Sequence, residues 1–251
     1  MCYNKDTKRK GVFQMEPKID KRINYRMVLD TETCPLDREL QEVKPSNMWA
    51  YDIGWAIVDK RGKVYKTASF INADIFLGER QLMKSAYYAE KIPKYWEQIK
   101  NGERVLTSWY NIHMALLEDI NTFRVKEVYA HNMRFDYGTL TNTQRWITKS
   151  KYRYFFPKGI QICDTLKMAR DVIGHMPTYR YFCEDNDYLT KNGRLKFTAE
   201  ILYRFITKDN DFTESHTGLE DVLIEKEILA YCFKQHKKMR RLLWEKSSHS
   251  N

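Results

Sequence analysis

Three extended apolar runs crowd the first part of the chain, and helical and strand patterns alternate after it. Residues 25–31 (YRMVLDT) form a short apolar run closing on polar residues, the pattern of a buried strand. Residues 50–59 and 63–71 are β-like, and Lys60-Arg61-Gly62 between them supplies a hairpin turn. Residues 79–100 read as mostly helical with a break at Pro93, and Ser108 caps a helix running to Phe123. A strand over 126–130, a helix from about Phe135, a strand over 159–163 and a helix from Asp164 to about Ile173 follow. Asn192-Gly193 is a hairpin signal within 177–197, and residues 198–207 are a short helix. Thr217-Gly218-Leu219-Glu220 has the form of a capping box opening a long last helix. A hairpin start followed by alternating elements predicts an α/β fold, a mixed central sheet with helices on both faces.

The 251 residues suit one domain over 25–235, with a basic N-terminal arm at 1–24 and a basic C-terminal tail at 236–251. Hydrophobic residues at 43% and aromatics at 14% exclude general disorder. No apolar run reaches the ~18 residues of a membrane span. The basic start lacks the apolar block of a secretory signal. The five cysteines form no CxxC, which argues against zinc and disulfide frameworks and for a cytoplasmic protein with reduced thiols. The net charge of +10 lies at the ends: residues 1–26 carry eight basic and three acidic side chains, and 234–251 six and one. Such ends fit a polyanion partner, or equally a pair of solvated tails.

Asp30 and Glu32, at i and i+2 on a strand end, share one face. Neighbouring carboxylates repel unless a cation joins them, and hard oxygen ligands suit Mg²⁺ or Mn²⁺. Asp136 closes the run AHNMRFD after a strand, where a helix dipole also favours an acid. His216 and Asp221 in HTGLED flank a helix start, so both can reach one point near it. Taken singly, each has a plain structural explanation as a solvated strand end or a capping acid.

Together and in this order, DxE, HNxxFD and HxGxxD resemble the DEDDh group of 3′→5′ exonucleases, which includes the proofreading subunit of bacterial DNA polymerase III. The segment CDTLKMAR (163–170) resembles the group's Asp-Thr-Leu stretch, and AYDIGWAIVDKRGKV its second and third strands. Gly218 stands where the group usually has alanine, and the likeness spans roughly 25–235. It implies an RNase H-like fold with two divalent ions, Mg²⁺ or Mn²⁺, held by Asp30, Glu32, Asp136 and Asp221 at the scissile phosphate. His216 would be the general base, and Thr31 and Phe135 would neighbour the terminal nucleotide. The implied reaction releases nucleoside monophosphates from single-stranded ends, DNA before RNA. Alternatives are an exoribonuclease of the same fold, or a proofreading or nucleic-acid-binding subunit attached to a polymerase or other replication or repair protein; no residue here reads a 2′-hydroxyl.

Residues 137–163 contain no acid. Arg145, Lys149, Lys151, Arg153 and Lys158 are candidate phosphate contacts there, with Trp146 or Tyr154 as stacking surfaces. A helix with a solvated basic face is the plain alternative. His131 reads as a loop support rather than a ligand, Asp164 as a helix cap, and Trp49 and Tyr51 as core.

Overall fold

The computed structural model describes residues 19–35, 47–84, 86, 89–149 and 154–246. The first apolar run becomes β1 (Arg26–Pro35), buried from Arg26 to Leu29. It lies inside a six-stranded sheet with β2 (Met48–Val58), β3 (Val64–Asn72), β4 (Val105–Thr107), β5 (Glu127–Ala130) and β6 (Gln161–Asp164). The strand order is β4-β3-β2-β1-β5-β6. β1–β2 and β2–β3 are antiparallel; β3–β4, β1–β5 and β5–β6 are parallel.

The helices are α1 (Ala73–Phe76), α2 (Arg80–Met83), α3 (Ile92–Asn101), α4 (Trp109–Thr122), α5 (Arg134–Thr148), α6 (Thr165–Val172), α7 (Pro177–Asp185), α8 (Ala199–Thr207) and α9 (Gly218–Lys234). Strand alternation divides them between two layers. Met27 and Leu29 pack with Trp109, Ile112 and Leu116 of α4 and Leu140 of α5. Val28, Ala56 and Tyr129 pack with α6 to α9 on the other face. The α/β sheet with helices on both faces is therefore as expected. Among the described residues no helix is long and apolar enough to cross a membrane. The four described cysteines are buried thiols.

Several local expectations need correction. Pro93 does not break a helix; it lies in the first turn of α3, where a missing N–H costs nothing. The break comes earlier, after Met83, and a 3₁₀ turn over Ala89–Lys91 precedes α3. Strand β4, three partly exposed residues, carries too little pattern to be read in advance. Helix α7 was readable: Pro177 opens it, and Tyr179 and Cys183 bury one face at i, i+4. The Asn192-Gly193 turn is real but small, a single Leu189–Leu195 bridge with Gly193 at φ 68°. The capping box does not form. Thr217 makes no side-chain cap, and Glu220 pairs with Arg104 at 2.6 Å instead.

Part of the expected C-terminal tail is docked. Asp164 N–H donates to Arg241 O at 2.8 Å and Leu243 N–H to Ile162 O at 2.9 Å, which covers the open edge of β6. Arg240 pairs with Asp171 at 2.6 Å and Arg241 with Glu127 at 2.7 Å, so these two charges are already neutralised. Residues 1–18 of the N-terminal arm and 247–251 of the tail lie outside the described residues.

The feature that positions the site is the passage of α9 across β2. A Cβ on Gly54 would stand 2.4 Å from Leu219 N, and one on Gly218 would stand 3.0 Å from Gly54 N. Gly218 therefore fits the close approach better than the alanine usual in the resembled group. Gly54→Ala should lower unfolding free energy by about 1–3 kcal/mol, because backbone has to move to admit the methyl. Gly218→Ala should cost less. Urea denaturation of both variants checks the order.

Candidate active site

Asp30 pairs with Gly54 in the β1–β2 register, so the strand position that carries Asp30 lies directly beside the point where α9 begins. The even-numbered residues of β1 face α9. Asp30, Glu32 and Asp221 accordingly converge, with one carboxylate oxygen from each inside 4.8 Å of the others. A register shift follows Glu32 immediately, a bulge of the kind that re-aims side chains next to functional sites. Asp136 opens α5 on the other side of β1 and accepts a 2.8 Å bond from the Thr31 hydroxyl. Its charge is the largest like-charge influence on Asp30.

A fifth acid, Glu225, went unassigned in the sequence. It lies four residues after Asp221, on the same face of α9, and that i, i+4 spacing was its available signal. It is 3% exposed and accepts the His131 N–H at 3.0 Å, which ties α9 to the loop leading into Asp136.

Burial and mutual repulsion act in the same direction on these groups. Loss of solvent, then the charges of Asp136, Glu225, Glu32 and Asp221, hold Asp30 well above the usual carboxylate range. Burial, then Asp52 and Asp221, raise Glu32 to about 9. Burial, then Glu214 and Glu220, raise Asp221 to about 8. Burial raises Asp136 to about 7 against the opposing Thr31 hydrogen bond. Burial, then Asp136, push Glu225 well up.

Asp164 shows what a structural acid looks like here. Its Oδ1 accepts Leu166 N–H at 2.9 Å and Asn132 N–H at 3.1 Å, the expected helix cap. Asp221 Oδ1, in contrast, is buried with no hydrogen-bond partner. A buried carboxylate oxygen without a donor is costly unless a cation meets it. Three convergent carboxylates, one of which also carries an orphaned oxygen, fit a hard divalent ion.

The start of α9 is held by charge. Asp52 Oδ2 accepts the Gly218 N–H at 3.0 Å, and Asp52 Oδ1 pairs with Arg104 at 2.8 Å. Arg104 also bonds Gln98 Oε1, Ser69 Oγ and Glu220 Oε2, so its guanidinium is shared by four side chains. Sequence reading missed this network, since its members are scattered from 52 to 220.

His216 sits just before α9 at φ 51°, half-exposed. Its ring groups with Glu200 and Glu214 rather than with the Asp30 cluster, and its Nδ1 is 3.8 Å from Glu214. Lys91 donates to the carbonyls of Ser215 and His216 and so fixes the loop. Burial, then Lys91, depress the His216 pKa and favour neutral imidazole. His131 supports its loop as expected, through Thr165 Oγ1 at 3.1 Å and Phe197 O at 2.7 Å.

The remaining candidates are placed differently. Thr31 is buried and its hydroxyl is committed to Asp136. Phe135 is half-buried in the first turn of α5. Arg145 and Lys149 are exposed at the far end of α5, about 13 and 20 Å along the axis from Asp136 at ~1.5 Å per residue. Lys151 and Arg153 lie outside the described residues. Trp146 packs on Trp49 at 4.6 Å, and Trp49 and Tyr51 are core.

No protein-family model matches the chain, and no curated protein matches it. Solved structures do. A full-length 3′-exonuclease superposes with a TM-score of 0.50 at 10% identity over 89% of this chain and 65% of that one. An Exonuclease I from Methylocaldum szegediense has a TM-score of 0.48 at 12% identity over 86% and 41%. Cell-death related nuclease 4 has 0.47 at 12% over 90% and 70%. The chain spans less than two thirds of the length of the first two. The likeness to the first establishes an RNase H-like fold; at 10% identity it carries no reaction with it.

Metal-free protein should lose stability as pH rises. Carboxyls held above their ordinary values of 3.8 and 4.5 bind protons more tightly folded than unfolded. Their contribution is complete below those values and is lost as pH passes about 7 for Asp136, 8 for Asp221 and 9 for Glu32. Melting temperature in EDTA should fall across this window, and Asp30→Asn should flatten the fall. Thermal melts from pH 4.5 to 9.5 read it out.

Proposed function

We propose that the protein is a metal-dependent 3′→5′ exonuclease that releases nucleoside monophosphates from single-stranded ends, DNA before RNA. The carrying observation is the meeting of half-buried Asp30 and Glu32 with buried Asp221, whose Oδ1 lacks any donor. Four acids on one strand face and two helix starts are more than capping requires. The fold shared with a 3′-exonuclease supports the same reading.

Asp30, Glu32, Asp136 and Asp221 would hold two divalent ions, Mg²⁺ or Mn²⁺. Bound there, such ions would stabilise the attacking and leaving oxygens of an in-line displacement at phosphorus. The protein's own part is positional and acid–base. Thr31 keeps one oxygen of Asp136 oriented, Glu225 holds the loop preceding it, and the Asp52–Arg104–Glu220 network sets where Asp221 stands. His216, kept neutral, would accept the proton of the attacking water. Its ring lies beside Glu200 and Glu214 before substrate is present, and catalytic hydrogen bonds commonly tighten only in the complex.

A 5′-labelled single strand should give a descending ladder that a blocked 3′ end and EDTA each abolish. A ladder from the opposite end, or activity in chelator, contradicts the proposal. Parallel DNA and RNA strands decide the substrate. His216→Ala should lower turnover by about 10²–10⁴-fold and flatten the acid limb of the rate profile, while Mn²⁺ binding persists. A variant within threefold of wild type removes His216 from the chemistry.

A further inference from the structure

A cavity of about 620 Å³ opens beside the acidic cluster. Asp30 and Glu225 belong to its lining, as do Leu166 and Arg170 of α6 and Leu195 and Lys196 of the small hairpin that follows α7. That hairpin lies in the 177–197 region, which the resemblance to the DEDDh group leaves unexplained. Its volume is that of a small-ligand site, typically ~300–1,000 Å³.

The hairpin wall is firmly held. The Tyr179 hydroxyl donates to Lys196 O at 2.6 Å, and Lys196 N–H donates to Tyr188 O at 3.1 Å. His131 Nε2 lies 2.7 Å from Phe197 O and so joins the wall to the loop that carries Asp136. Gly174 leaves the room that the Phe197 ring occupies, since a Cβ there would stand 2.9 Å from Phe197 Cζ. A wall held to α7, bonded within the hairpin and tied by His131 to the loop before Asp136 can present side chains to a ligand in fixed positions.

Charge distinguishes two of those side chains. The neighbouring cations are engaged: Lys167 by the Leu242 and Glu245 carbonyls, Arg204 by Glu200, Arg240 by Asp171. Among the described residues, the Arg170 and Lys196 side chains make no ion pair and no hydrogen bond. Arg170 is exposed and Lys196 half-exposed, both on the lining of a cavity that also reaches Asp30. Two uncommitted cations and an apolar surface, next to a site that would hold divalent ions, match the phosphate and base of a nucleotide.

We propose that this cleft receives a nucleotide adjoining the cleaved bond of a single strand, its phosphate met by Arg170 and Lys196 and its base laid against Leu166 and Leu195. The proposal rests on the nuclease reading above. It moves the strand's electrostatic contacts from the far end of α5 to the α6–hairpin cleft.

The test is the binding of a 5′-fluorescent 12-nucleotide single strand to full-length protein, on an Asp30→Asn background so that the strand survives. Anisotropy across a salt series gives the slope of log affinity against log salt. Replacing Arg170 and Lys196 together with Gln should lower the slope by about 0.7, the share of the one phosphate that the pair would neutralise. Replacing Lys60 and Arg61 with Gln, on the β2–β3 turn, should leave it unchanged. Melting curves confirm that each variant is folded. An equal slope in the cleft variant and the turn control overturns the cleft, while degradation of the strand by wild-type protein keeps the nuclease reading intact. If wild-type protein with Mn²⁺ leaves the strand uncut, the nuclease reading fails and the cleft proposal with it.

Discussion

Five carboxylates, Asp30, Glu32, Asp136, Asp221 and Glu225, share one largely buried corner of the sheet, and their repulsion is the constraint around which the rest is arranged. Packed acids without counter-charge would spread apart if the backbone let them. Here it does not. Asp30 and Glu32 are fixed by the central strand, and Asp221 by a helix whose first turn is pressed against Gly54. Burial, and after it the neighbouring acids, hold the pKa values of Glu32 and Asp221 up in the absence of cations. A site whose acids are relieved by protons or by metal cations is poised to exchange the first for the second.

The scaffold meets this cost with a second set of charges a short distance away. Asp52 and Arg104 are both almost wholly inaccessible, and their pairing leaves Asp52 free to accept the first N–H of α9. Removing one partner of such a buried pair leaves an uncompensated charge, which typically costs ~3–5 kcal/mol. The network thus does for α9 what a capping box would have done, and also anchors the helix to β2 and to the segment after α3.

The fold was legible because β1, β2 and β3 carry apolar or β-like runs and because turns and caps such as Ser108 and Asp164 obey local rules. The convergence of Asp30, Glu32 and Asp221 was legible because DxE sets two acids on one strand face and HTGLED sets one at a helix start. What escaped was whatever depends on distant partners. Glu220 has the right spacing for a cap yet is drawn to Arg104, an ion pair 116 residues away in sequence. The basic stretch after Asp136 suggested a strand-binding face, but the helix carries Arg145 and Lys149 away from the acids at a fixed rise per residue. Glu225 and the Arg170–Lys196 cleft emerge only when α6, the hairpin and α9 are placed side by side.

The central claim is that the buried acids form a divalent-cation site, and calorimetric titration of Mn²⁺ into metal-free protein at pH 8 tests it most directly. The account predicts saturable binding of two ions per chain with release of protons, since the carboxyls of Asp221 and Glu32 must give theirs up. Asp30→Asn should remove at least one of the two. Absence of binding in the wild-type protein, or an unchanged isotherm in the variant, would contradict it.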